Sequence, residues 1–319
     1  MKRSVLINSL LALLVAPAGL FAADVVVTSA ITTNTTWTRS NVYILDTKIF
    51  VEAGALLTIE PGTVIKGRAK ANPADATALV IARGARINAN GTAAAPIIFT
   101  AESDNLSTTQ PNLTESDRGL WGGVVILGRA RINTVSGQGN IEGIATNDAR
   151  GIYGGTDDDD NSGIFRYVQI KHSSAIVAAN VELNALSLGG VGRGTVIEYV
   201  DAYAANDDGF EFFGGSVNTK HLVAAFCDDD GFDTDQRYNG LNQFWFGIQE
   251  PGAKDNGSEQ NGQPQAPDVR VPGALPLANY LVRNATMIGA GTNSSGNDAL
   301  RFRQENKARW YNSIVTDFG

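Results

Sequence analysis

The chain has 319 residues, with 33 Asp and Glu against 25 Lys and Arg; its formal charge of -8 disfavours nucleic acid and anionic membrane surfaces and favours cations or neutral and basic surfaces. A single cysteine, Cys227, excludes an intramolecular disulfide, so the core must hold the fold. High glycine, modest aromatic content and scarce helix signals exclude an ordinary helical domain.

Residues 1–22 read as a secretory signal peptide: Lys2 and Arg3 precede an apolar run broken by Asn8, Pro17 and Gly19, and small residues follow at Ala22 and Ala23. No cysteine follows for lipid attachment, and no later stretch of the mature chain is apolar enough to span a bilayer. The expectation is an exported protein, extracellular, cell-surface or periplasmic. Residues 23–40, which include VVVTSAITTNTTW from Val25, are expected to form an N-terminal cap over the open edge of the strands beyond residue 40.

From residue 41 onward, short strand-like runs alternate with glycine turns: VYIL, IFVEAGALLTIEPGTVIKG, APIIFTA, IFRYVQI, TVIEYV and HLVAAF. Leu57 and Ile59 share one face, Thr58 and Glu60 the other, and Pro61-Gly62 turns the chain. Two repeats stand out. Leu79, Val80, Ile81 and Ile87 recur as Val124, Val125, Ile126 and Ile132, 45 residues on; Asp207, Asp208, Gly209, Phe210 and Glu211 recur as Asp229, Asp230, Gly231, Phe232 and Asp233, 22 residues on. A period of 22 to 23 residues, taken twice in the first case, accounts for both. Short strands at that period imply an all-β, right-handed parallel β-helix over residues 41–319, each coil burying its apolar face against its neighbours. A β-sandwich is the competing all-β fold, but hairpin connections do not require residue 207 to resemble residue 229.

Two polar segments read as loop insertions, AESDNLSTTQPNLTESDRG and QEPGAKDNGSEQNGQPQAPDVRVPGALPL, and such loops are where a rigid scaffold carries function. The sequence stops in a strand-like run, NSIVTDFG, which reads as an open or truncated C-terminal end.

The runs VYILDTKIFVEAGALLTIEPGTVIKG, WGGVVILGRARIN, YGGTDDDDNSGIFRYVQIKHSS and IEYVDAYAANDDGFEFFGGSVNTKHLV resemble a family of bacterial secreted and cell-surface β-helix proteins, with a fold similar to that of pectate lyases. The resemblance implies fold and location. It implies no established activity, so no catalytic residue is carried over from it.

Stacking in register would place Asp207, Asp208 and Glu211 beside Asp229, Asp230 and Asp233. At a coil spacing of about 4.8 Å each like-charge pair repels by roughly 1 kcal/mol in water and ~3.5 kcal/mol at an effective dielectric of 20. A divalent cation would offset this, and calcium suits several carboxylates around a glycine turn. The expected ligands are Asp207, Asp208, Asp229, Asp230, Asp233 and Asp235. Protonation, outward splay or pairing with Arg237 are alternatives, and Asx turns account for the same residues without metal. The run Asp157 to Asp160 reads as a solvated acidic loop.

Catalytic readings are weaker. Arg237, Arg301 and Arg303 are conceivable lyase bases, but arginine resists deprotonation. NDDG and CDDDG superficially suit a hydrolase, yet the Gly-His-Gly and Arg-x-Lys elements of polygalacturonases are absent. His172 and His221 read as strand or turn residues, Cys227 as a small core residue of low reactivity, and Phe210, Phe212, Phe213 and Phe232 as stacked rungs, with exposure expected only around Phe244, Trp245 and Phe246. Two function classes stay open: a non-catalytic β-helix for adhesion, envelope structure or glycan binding, and a lyase or hydrolase acting on acidic glycans.

Overall fold

The computed structural model describes residues 23–179, 181–251, 255–264, 269–275, 277–291 and 298–318; the expected leader lies outside them. Parallel strands stack coil on coil. One sheet runs Lys48–Val51, Ala78–Ile81, Gly123–Leu127, Leu186–Gly189, Phe210–Phe213, Phe232–Asp235, Ser258–Asn261 and Arg301–Arg303, each strand hydrogen-bonded to the next. A wider sheet contains the longer strands Gly163–Lys171, Val196–Tyr203, Asn218–Ala225 and Leu241–Ile248.

Strict register makes the interior a set of columns. Ile49, Leu79, Val124, Leu186, Phe210 and Phe232 form one, all buried. Phe210 stacks on Phe232 at 5.3 Å between ring centroids, and Phe232 on Trp245 of the wide sheet at 4.3 Å. Such burial against flat neighbours supplies the stability a disulfide would otherwise add.

Each long strand bends at one left-handed residue, and these residues also align: Tyr167, Tyr199, His221 and Phe244, with φ between 49° and 61°. A non-glycine residue there costs about 1–2 kcal/mol. Their rings stack along the outside at 4.4, 4.2 and 4.7 Å, which offsets part of that cost. Phe244 is therefore exposed as expected, while Trp245, one residue on, points inward and is buried.

Three expectations change. Leu79, Val80 and Ile81 pair directly with Val124, Val125 and Ile126, so the 45-residue spacing is one coil lengthened by the 102–121 loop, not two turns. Ile132 has left the coil altogether: residues 128–162 fold over the outer face of the shorter sheet, where Ile132, Ile141, Ile144 and Tyr153 bury Phe50, Val80, Val125 and Leu127. The second supposed insertion contains a further coil, since Ser258–Asn261 pairs with Phe232–Asp235. The segment 23–40 lies over the next coil in the form of strands, Ala23–Val27 pairing with Asn41–Leu45 and Thr35–Trp37 with Leu56–Ile59.

Phe232→Ala should leave a cavity between Phe210 and Trp245 and cost about 3–5 kcal/mol, read as a lower denaturant midpoint in equilibrium unfolding. A loss under 1 kcal/mol would mean the column is not packed as described.

Candidate functional site

The two acidic phrases meet, as their spacing requires, and a third joins them. Glu211 lies beside Asp233, and Asp233 beside Glu259. The third coil repeats the pattern as Asp255, Asn256, Gly257, Ser258 and Glu259. Glycine at the centre of each phrase has a steric reason: a Cβ on Gly209 would lie 2.8 Å from the Gly231 carbonyl oxygen, and one on Gly231 2.9 Å from that of Gly257.

Between these glycines and the preceding acids runs a ladder of side-chain acceptors. The Asp208 amide donates to Asn184 Oδ1 (3.2 Å), the Asp230 amide to Asp208 Oδ1 (3.0 Å), and the Asn256 amide to Asp230 Oδ1 (2.7 Å). One oxygen of Asp208 and of Asp230 is thus committed to holding the next coil.

The remaining oxygens converge. Four carboxylate groups form, each with one oxygen per residue within 4.8 Å of the others: Asp207, Asp208 and Asp229; Asp208, Glu211 and Asp233; Asp229, Asp230 and Asp255; and Asp230, Asp233 and Glu259. Asp208, Asp229, Asp230 and Asp233 each belong to two groups, which makes one continuous array. Five of the six expected ligands are in it. Asp235 belongs to none of the four groups: it lies two residues beyond Asp233 on the same strand, beside Phe213 of the preceding coil. Glu211, Asp255 and Glu259 are added.

Five of these carboxylates are hidden from solvent, with 5% exposure at Asp208, 7% at Glu211, 4% at Asp230, 7% at Asp233 and 8% at Glu259, while Asp207, Asp229 and Asp255 are half-buried at the margin of the array. Asn184 Nδ2 holds Glu211 Oε2 and, at 3.0 Å, Glu142 Oε1, which brings a further acid from the 128–162 segment against the array. Among the described residues, basic partners reach only its last member, Glu259, through Arg301 (3.7 Å) and Arg303. Two of the three arginines considered as bases, Arg301 and Arg303, are therefore counter-charges. Arg237 does not serve the array at all: it is buried and lies 3.5 Å from Asp158.

Burial, and then mutual repulsion, push the acids upward. Asp207 rises to about 9, Asp229 and Glu142 to about 7, and Asp208, Glu211, Asp230 and Asp233 lie well above the ordinary carboxylate range. Asp233 Oδ1 is buried and makes no hydrogen bond among the described residues. A buried acceptor without a partner, at the junction of two all-oxygen groups, fits a hard divalent cation such as calcium.

Residues 157–160 are not a solvated loop. Asp157 and Asp159 are exposed, but Asp158 and Asp160 are buried. Asp158 gathers Arg131 (2.5 Å), Arg237 (3.5 Å) and Arg193 (3.7 Å). Burial raises its pKa, but the hydrogen bonds from Arg131 and the charge of Arg237 outweigh that and bring it to about 2. This is a structural ion cluster tying the 128–162 segment to the coils, in which Asp158 already has its counter-charges.

The other single candidates behave as structural groups. His172 is buried with Nδ1 2.7 Å from the Asp117 carbonyl oxygen, and His221 is sandwiched between Tyr199 and Phe244. Cys227 is buried, which pushes its thiol up to about 12.

A family model described as a pectate-lyase-like beta helix domain matches residues 29–319. No curated protein matches the sequence. Among solved structures, a double mutant of the periplasmic alginate epimerase AlgG is similar at TM-score 0.36 and 9% identity, over 92% of this chain and 77% of that one. A single mutant of the same epimerase is similar at TM-score 0.36 and 8% identity, over 89% and 73%. At such values the likeness says nothing of activity or substrate.

The raised acids dictate how metal-free protein responds to pH. A carboxylate with a higher pKa folded than unfolded contributes stability that is fully present below the unfolded value, about 4, and is lost as pH rises through the folded value. In chelator, the melting temperature should therefore fall from about pH 4 through 7, where Asp229 and Glu142 titrate, toward 9, where Asp207 does. A melting temperature that rises across pH 5 to 8 would show that the array is compensated within the protein.

Proposed function

This chain belongs to the pectate-lyase-like beta helix domain family, and on that scaffold we propose an exported, non-catalytic coil stack that meets glycan or cell-surface partners and holds calcium in its acidic array. The leader pattern of residues 1–22 supports export. The single observation that carries the cation is Asp233, whose buried, unpartnered oxygen sits where two carboxylate groups join.

The same geometry argues against catalysis. Carboxylates exposed by 4–8% can close around an ion but not around a sugar ring in a polymer. Asp207, Asp208, Asp229, Asp230, Asp233, Glu211, Asp255 and Glu259 would hold the metal, which supplies charge compensation that lets adjacent coils lie in register. The arginines needed as lyase bases are all engaged with Glu259 or Asp158.

Calcium at about 100 times its dissociation constant adds roughly 2.7 kcal/mol per site, or about 5–10 °C in melting temperature. Asp233→Asn gives a two-sided test. It should be more stable than the unaltered protein in chelator near pH 7, because folding no longer has to neutralise a carboxylate at that position, and should show a much smaller rise on adding calcium. Identical melting curves with calcium and with chelator would overturn the cation reading.

One observation favours the alternative of a lyase or hydrolase: Asp229 and Glu142, pushed up to about 7, are in the range that proton transfer uses. Incubation with a panel of uronate-containing glycans should yield no new unsaturated or reducing ends. Depolymerisation lost in Asp230→Asn would reverse the assignment.

A further inference from the structure

Away from the acidic array, the outer face of the wide sheet carries a second site with different chemistry. Outward positions of neighbouring long strands form two columns there, Gln169, Asp201 and Val223, and Lys171, Tyr203 and Ala225. The 102–121 loop folds across them. Asn112 pins that loop, its Nδ2 donating to the Ser103 carbonyl oxygen (2.8 Å) while its Oδ1 accepts from the Asn105 amide (2.6 Å). Pro111 and Leu113, on either side of Asn112, form one wall of a groove of about 380 Å³. That is within the range of small-molecule sites, about 300–1,000 Å³.

The opposite wall is Tyr203. Its ring is clamped edge-on by His172 at 5.5 Å and by Phe226 at 5.9 Å. Burial raises its pKa, so the phenol keeps its proton, and its hydroxyl makes no hydrogen bond to the described residues. Val223 and Ala225 leave a small, apolar floor.

The polar groups are few and unequal. Lys171 is paired with Asp104 at 2.9 Å, so those two charges cancel. Asp201 has no cationic partner among the described residues; it accepts only a long bond, 3.4 Å, from Gln169 Nε2. A carboxylate and an amide set side by side on a sheet, next to a fixed aromatic ring, match the alternating hydroxyls and C–H face of a pyranose. The unmatched Asp201 carboxylate would repel a uronate.

We infer that this groove binds a neutral, hydroxyl-rich sugar unit, with Asp201 and Gln169 taking its hydroxyls and Tyr203 and Leu113 its apolar face. This rests on the reading of the protein as a glycan binder and narrows it to neutral glycans. The ligand class comes from the groove's own charge and is independent of the cations proposed for the array.

The test uses the full chain with calcium present. Isothermal titration and saturation-transfer NMR would compare cellotetraose, maltotetraose, mannotetraose and galactotetraose with tetragalacturonate and tetramannuronate. At least one neutral tetrasaccharide should bind, and more tightly than either acidic one. Asp201→Asn, which keeps shape and can keep the Gln169 contact, should weaken that binding about tenfold, and Tyr203→Ala by at least as much, with the calcium response of melting temperature unchanged in both. A preference for the acidic tetrasaccharides, or no preference, overturns the inference. Neutral-sugar binding that survives both substitutions places the sugar elsewhere and overturns it while leaving glycan binding standing. Absence of binding by every member of the panel overturns both.

Discussion

The coils of this molecule depend on one constraint: parallel strands stack in register, so each strand residue lies on its counterpart one coil away. For apolar residues that is favourable, because a flat side chain is covered on both sides by others of its kind. For charged residues it is costly, because like lies on like. The outward column through Phe50, Val80, Val125, Ser187, Glu211, Asp233, Glu259 and Arg301 shows the constraint at work along its whole length. Its first three members are covered by the 128–162 segment, its acids crowd together, and its final arginine supplies the one end with a counter-charge.

The sequence made the central part of that column visible and obscured its flanks for identifiable reasons. Asp207 to Glu211 and Asp229 to Asp233 are separated by an uninterrupted coil, so the period is bare. The next coil hid because its strand is Ser-Glu-Gln-Asn. Ser258 and Gln260 point inward and are fully buried, so no apolar alternation marks the strand. Asp255-Asn256-Gly257 before Ser258-Glu259 was the available signal, and it lay inside a stretch whose Gly, Pro and Gln content reads as loop.

Two other misreadings share a cause. Ile87 and Ile132 look equivalent, yet Ile87 pairs with Gly163 inside the stack, while Ile132 is buried on top of it. Local sequence reports that a residue is apolar but not which face of a layered structure covers it. Likewise the aspartates of residues 157–160 alternate between solvent and interior, and the arginines that pair with Asp158 come from Arg131, Arg193 and Arg237, on separate parts of the chain. Nothing adjacent in sequence announces such a cluster.

The acceptor ladder has a direction. Asn184 receives the amide of Asp208, Asp208 that of Asp230, and Asp230 that of Asn256, so in each case the acceptor belongs to the earlier coil and the donor to the later one. A finished coil thus presents a ready-made side-chain template to its successor, while offering no such template to the one before. Assembly from the N-terminal side can add one coil at a time onto a formed surface, the order in which a chain leaves the ribosome. The residues that make the stack electrically awkward are also those that give its growth a polarity.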